Sequence, residues 1–191
     1  ELGYDAATTN LDLTVAGFGT VKAAILISCY STTTSNPSTS AESLSIGVWD
    51  GTNMRCVGGS IQNGVATSNT DRIGHESRIL YFTNFSGTNF IASYSISNIT
   101  DGIRVSLVDD ATGGSRYVTA ILFTGSDVES AVGSITPATS SGNSVNVTSL
   151  SFEPNLIFVI TAADIVRVTT HKLFGLGIAA NKSSIINRGI L

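Results

Sequence analysis

Helical periodicity is almost missing from these 191 residues, and this constrains the fold more than any other feature. No stretch of a dozen residues places apolar side chains at i, i+3, i+4 and i+7 with capping signals at its ends. Short runs rich in β-branched and aromatic residues alternate instead with clusters of Gly, Asn, Asp and Ser, the punctuation of an all-β chain. Strands are expected near Leu11–Val15, Ala23–Tyr30, Leu44–Trp49, Met54–Ile61, Arg78–Thr83, Phe90–Ser97, Ile103–Val108 and Tyr117–Phe123. Further strands are expected near Ser130–Ile135, Ser144–Leu150, Leu156–Thr161, Leu173–Ala179 and Ser184–Leu191. Asp50-Gly51 and Asn63-Gly64 predict tight turns, because both central positions of a type I′ turn need positive φ. Asp101-Gly102 and Gly113-Gly114 mark further turns. Ser31–Ser43, which contains Pro37, and Ser60–Glu76 read as long polar loops.

A chain of this length buries roughly 70% of its unfolded surface, so its core needs no metal or disulfide staple. Charged residues make up only 13%, and 26 Ser and 23 Thr take their place in wetting the surface. The net charge of −4 and the ten scattered basic residues offer no patch that could displace counterions from a nucleic acid. No apolar run approaches the roughly 18 to 20 residues that a membrane-spanning helix requires. The most apolar stretch, around Leu156–Ile160, is strand-sized, and no secretory leader pattern opens the chain. Neither nucleic-acid binding nor membrane insertion is therefore expected.

Residues suited to chemistry are sparse. His75 and His171 lie far apart in polar stretches and read as exposed loop residues, and no Gly-x-Ser-x-Gly elbow accompanies them. Cys29 and Cys56 lie in apolar strand-like runs and read as buried free thiols rather than a disulfide or a reactive pair. Neither His75 nor Cys56 has a zinc-type partner nearby in sequence. Asp109-Asp110 before Ala111-Thr112-Gly113-Gly114 reads as a solvated hairpin turn, an oxygen-lined Ca²⁺ loop being the alternative. A glycosidase-like pair drawn from Asp71, Glu76, Asp101, Asp109 or Glu129 is not singled out by spacing. Trp49, Tyr30, Tyr81, Phe85 and Phe90 could stack on a sugar, but strand aromatics belong more often to the core. Sequons at Asn84, Asn98, Asn146 and Asn181 matter only in a secreted eukaryotic setting. The expectation is a non-enzyme with no catalytic, cofactor-binding or metal-ligating residues.

An internal repeat at an offset of about 130 residues is the most informative pattern. Val15-Ala16-Gly17-Phe18 followed by Lys22–Ile27 parallels Leu150-Ser151-Phe152-Glu153-Pro154 followed by Leu156–Ile160. Ser45-Ile46-Gly47-Val48 then parallels Gly175-Leu176-Gly177-Ile178, and Gly59-Ser60-Ile61 parallels Gly189-Ile190-Leu191. Physically, a fixed turn sets the entry of an apolar strand, and a glycine in the next strand lets another backbone approach closely. The organisation expected is a β-sandwich module over 1–143 with a partial second repeat over 144–191. That partial copy either joins the same sandwich or continues into a further domain.

These motifs resemble a family of β-sandwich modules in structural proteins of tailed bacteriophages, in which Gly-Phe-x-Pro turns lead into apolar strands. The residues that carry the likeness are Gly17-Phe18, Ser45-Ile46-Gly47-Val48, Asp101-Gly102-Ile103, Ala120–Gly125, Val132-Gly133-Ser134 and Phe152-Glu153-Pro154. The chain departs from the pattern where Gly19-Thr20 replaces Glu-Pro, Ser151 replaces the second Gly and Ile103 replaces Phe. The resemblance implies a virion component: a capsid decoration, a head knob or fibre, or a tail appendage. It would assemble in the host cytoplasm, be exposed outside the cell, and pack against other virion proteins as a homo-oligomer. The fold expected is all-β, an antiparallel sandwich of jelly-roll type with an internal repeat. Two rival functions are a carbohydrate- or receptor-binding fibre module, with a host-surface glycan as ligand, and a secreted β-sandwich enzyme of glycosidase type.

Overall fold

The computed structural model describes residues 2–4, 10–29, 41–62, 70–83, 90–110, 116–136, 140, 144–162, 174–182 and 185–190. Every regular element among them is a strand: β1 (Leu2–Tyr4), β2 (Asn10–Thr14), β3 (Val21–Cys29), β4 (Ala41–Trp49), β5 (Met54–Gln62), β6 (Thr70–His75) and β7 (Leu80–Thr83). The series continues with β8 (Phe90–Ile99), β9 (Gly102–Asp110), β10 (Arg116–Thr124), β11 (Leu156–Ala162), β12 (Phe174–Lys182) and β13 (Ile185–Ile190). No helix among the described residues is long and apolar enough to cross a membrane.

The strands form three antiparallel sheets, ordered β1-β10-β3-β4-β5-β6, β2-β9-β8-β7 and β11-β12-β13. The first two face each other. Leu26, Val21, Trp49 and Val118 from one sheet meet Leu80, Phe82, Tyr94, Ile103 and Val105 from the other in a single apolar core. Each such side chain contributes roughly 1.5–3 kcal/mol on burial, so this layer dominates the stability. Alternation along each strand decides which face is buried. In the second sheet Leu11, Val105 and Ile96 share an inward row, while Asp12, Arg104 and Ser97 share an outward one. The antiparallel β-sandwich expected from the sequence is thus the architecture found. The jelly-roll connectivity is not. A jelly roll alternates successive strands between its sheets, whereas β3 to β6 form one continuous meander and β7 to β9 another.

Several local expectations also need correction. Residues 130–135 and 144–150 form no strand. Around 130–132 the polar groups bond to Asp50 and Lys22 instead of a ladder. Val145 and Val147 alternate properly, yet both are exposed and neither joins a sheet edge. The supposed loop Ser60–Glu76 contains the end of β5 and all of β6, whose polar Asp71 and Arg72 disguised a strand paired with Ser60 and Gly59. Ser31–Ser43 overlaps β4 from Ala41 onward, and 31–40 lie outside the described residues. The Asp50-Gly51 hairpin exists, but only Gly51 has positive φ and Trp49 pairs with Met54, so the loop has four residues rather than a type I′ pair. Asn63-Gly64 and Gly113-Gly114 lie outside the described residues.

The glycine expectation holds at Gly47. A Cβ there would sit 1.7 Å from the Ile79 carbonyl oxygen, so the backbone leading into β7 lies directly on β4. Gly58 on β5 does the same for Tyr81, at 2.1 Å from its carbonyl oxygen. Between them, the Ser45 hydroxyl accepts the Tyr81 amide at 2.9 Å and donates to the Val57 carbonyl at 3.3 Å. This strip of small residues lets the edge of one sheet close onto the other without a layer of side chains between them.

The third sheet is a smaller antiparallel meander of β11, β12 and β13. Leu26 faces Gly47 across β3 and β4, and Val159 faces Gly177 across β11 and β12, with the flanking pairs also in step. The third block of the sequence repeat does not follow, because Gly59 pairs with Leu44 whereas Gly189 pairs with Ile178. Strand β11 lies close to β5 and β6 of the large sheet.

Candidate functional site

Three of the motif segments meet at one end of the sandwich. The turn that joins β2 to β3 contains Gly17 and Gly19, both at positive φ (75° and 77°), and it brings Phe18 against the core. Its exposed amides are collected by one carboxylate: Asp101 accepts the Gly17 N–H at 3.2 Å and the Gly19 N–H at 2.9 Å. The Asp101 carbonyl accepts the Val15 N–H at 2.9 Å as well. Asp101 itself is the only non-glycine residue at positive φ (56°) among the described residues, a conformation that Asp tolerates better than most side chains. From the other side, the Thr124 hydroxyl lies 2.9 Å from both the Phe18 and Thr20 carbonyls. Gly17-Phe18, Asp101-Gly102 and Thr124-Gly125 are far apart in sequence and form one bonded unit in space.

A second carboxylate organises the β4–β5 hairpin. Asp50 accepts the Thr52 and Asn53 amides at 3.0 and 2.6 Å on one oxygen, and the Asn53 side-chain amide and Val132 N–H at 3.2 and 2.7 Å on the other. Burial alone would raise its pKa, but the donors from Asn53, Val132 and Thr52 outweigh burial and hold it below the ordinary 3.8. On the outer face of β2 and β9, Asp12 takes a two-pronged bond from Arg104 at 2.6 and 2.7 Å, which lowers its pKa and raises that of Arg104.

Among the described residues, the sheet sets two reactive side-chain types against each other at the Cys56–His75 pair. The two residues are opposite one another on β5 and β6, a juxtaposition hidden in sequence because they are nineteen positions apart. His75 is not the exposed loop residue expected. It ends β6, is half-buried, stacks on Tyr81 at 5.3 Å, and accepts the Ser77 N–H through Nδ1 at 3.2 Å. Burial and the nearby Arg78 charge lower its pKa against a smaller opposing effect of Glu76, so the ring is neutral at pH 7. Burial also pushes the Cys56 thiol up to about 12, with Arg78 and the His75 backbone offsetting only part of it. A neutral imidazole beside a thiol this weak makes no nucleophilic pair, since the thiolate is the reactive species. Both cysteines are free; Cys56 is buried as expected, but Cys29 is exposed.

The remaining candidates disperse. Asp71 is buried on β6 with its own carboxylate accepting the Arg72 N–H at 2.9 Å, Asp109 is exposed at the end of β9, and Glu129 is exposed after β10. Glu76 is exposed beside Arg55, whose guanidinium donates to the Glu76 carbonyl at 2.6 Å. Trp49 is in the core and Tyr81 lies against His75. The Phe90 side chain, Tyr30, Phe85, His171 and residues 111–115 lie outside the described residues, as do Asn84 and the Asn181 side chain. Asn98 and Asn146 are exposed. No group of three or more His, Cys, Asp or Glu gathers for a metal among the described residues. A concavity between the sheets, lined by Leu11, Ser28, Leu80, Phe82, Tyr94, Val105 and Val118, has no room for a water molecule.

What the molecule does offer is an uneven surface. Large apolar side chains stand exposed at Val15, Ile61, Val108 and Ile121, and then at Ile135, Val145, Val147, Leu156, Ile157, Val159 and Ile178. The second group belongs to the chain after β10 and to the third sheet, while the outer rows of β2, β8 and β9 carry Asn10, Asp12, Ser95, Ser97, Arg104 and Ser106. No protein-family model, curated protein or solved structure matches the chain.

Proposed function

We propose that the chain is a structural module that acts by packing rather than by catalysis, and that its setting is a tailed-phage virion, on the capsid surface or the tail. The observation that carries the packing half is the concentration of exposed Ile, Leu and Val after β10, at Ile135, Val145, Val147, Leu156, Ile157, Val159 and Ile178. Apolar area left open at this density is a feature of interaction surfaces. Many modest contacts, repeated by lattice symmetry, add avidity without a single strong site.

The virion half rests on the motif resemblance, supported by the way Gly17-Phe18, Asp101-Gly102 and Thr124-Gly125 act as one unit. Residues that cooperate in space explain why such a pattern recurs as a set. The shared register of Leu26–Gly47 and Val159–Gly177 supports reading the third sheet as a partial second copy of the β3–β4 hairpin. In the first copy that face is covered by the second sheet; in the second copy Ile157 and Val159 are open to a neighbour.

Quantitative mass spectrometry of gradient-purified virions tests this. The chain should be present in a fixed ratio to the major capsid or tail protein; its recovery only in the unassembled fraction would rule the reading out.

A further inference from the structure

The segment that follows β10 has neither helix nor strand over 125–136, yet it is not simply draped over the surface. Gly125, at φ 116°, turns the chain out of the sheet, and the Val128 N–H returns to the Gly125 carbonyl at 3.4 Å. The Ser130 hydroxyl then reaches the Lys22 carbonyl at 2.9 Å and the Asp50 carbonyl at 3.3 Å. Two residues on, the Val132 N–H donates to the Asp50 carboxylate at 2.7 Å. The two oxygens of that carboxylate divide the work. One holds the backbone of its own hairpin through Thr52 and Asn53, and the other takes the departing segment through the Val132 N–H together with the Asn53 side-chain amide.

We propose that Asp50 is a clasp: it fixes the path of the chain after β10 and thereby keeps the third sheet docked beside β5 and β6. The Ser130 hydroxyl reaches the hairpin at the Asp50 carbonyl, whereas the Asp50 carboxylate takes the backbone of the segment at Val132, so the hold of the carboxylate can be tested by itself. In Asp50→Asn the amide oxygen can still serve the Thr52 and Asn53 backbone, while the amide nitrogen faces the Val132 N–H and the Asn53 side-chain amide, donor against donor. Val132→Pro removes the N–H and leaves Asp50 and its hairpin untouched. The clasp is independent of the virion reading, because it concerns how this chain holds its own third sheet.

Amide exchange by NMR, limited proteolysis and small-angle scattering on the full chain test it. In Asp50→Asn the Val132 amide should exchange at least tenfold faster while amides of β3, β4 and β10 keep their protection. In both variants cleavage between residues 126 and 155 should accelerate, and the radius of gyration should grow. Unchanged cleavage and dimensions in Val132→Pro would overturn the proposal. So would a parallel loss of protection in β3 and β4 of Asp50→Asn, which would make Asp50 an ordinary hairpin residue.

Discussion

Two aspartates do most of the local organising, and each invites a measurement. Asp101 accepts both the Gly17 and the Gly19 amides, and it does so from a left-handed backbone. Asp101→Asn keeps the tolerance for that backbone and loses the charge, so it should cost about 1 kcal/mol by urea denaturation. Asp101→Ala loses both and should cost about 2–3 kcal/mol. Asp50 makes stability depend on acid. Its carboxyl titrates below the ordinary 3.8 in the folded chain, so its contribution is fully present above pH 3.8 and disappears as pH falls through the lower folded value. Denaturation midpoints for Asp50→Asn and the natural chain should therefore differ most near neutrality and converge in strong acid. A difference that stayed constant down to the lowest pH would contradict this.

At the scale of elements, the informative contrast is between Gly47 and Gly177, two glycines that the sequence pattern sets in parallel. Gly47 carries the Ile79 carbonyl where a Cβ would be, so Gly47→Ala must push β7 off β4 and should cost about 4 kcal/mol or more. At Gly177 the nearest atom to a Cβ is the Val159 Cβ at 3.8 Å, so Gly177→Ala should be close to neutral, within about 0.5 kcal/mol in thermal unfolding. Sequence alone suggested a close backbone approach at both, and could not say that only one strip is occupied. That pattern recurs through the chain. Period-two apolar runs such as Leu11–Leu13 and Ile103–Val105 announced their strands, because one face had to be buried. β6 was invisible because Asp71 and Arg72 are buried polar residues inside a strand, which composition codes as loop. Residues 130–135 failed the other way: their β-like spelling lost to side-chain bonds with Asp50 and Lys22. The Cys56–His75 juxtaposition could not be read either, since it depends on the register of β5 against β6.

At the scale of the whole molecule, seven of the large apolar side chains exposed among the described residues lie after β10, and the proposed function rests on them. Val159→Asp and Ile157→Asp change exposed positions, so they should leave the unfolding midpoint within about 1 kcal/mol of the natural chain. If these positions pack on a neighbour, each should weaken attachment to particles by about tenfold, or roughly 1.4 kcal/mol, in a co-sedimentation assay. Arg104→Ala, on the wetted face, should leave attachment unchanged, because the Asp12–Arg104 pair is exposed and has no part in the packing. The most direct measurement is a cryo-electron microscopy map of the assembled particle. It should show the β11–β12 face and the chain around Val145 and Val147 buried against a neighbouring subunit, with Asp12 and Arg104 turned to solvent. A map with the Asp12–Arg104 face in the contact and Ile157 and Val159 in water would contradict the account.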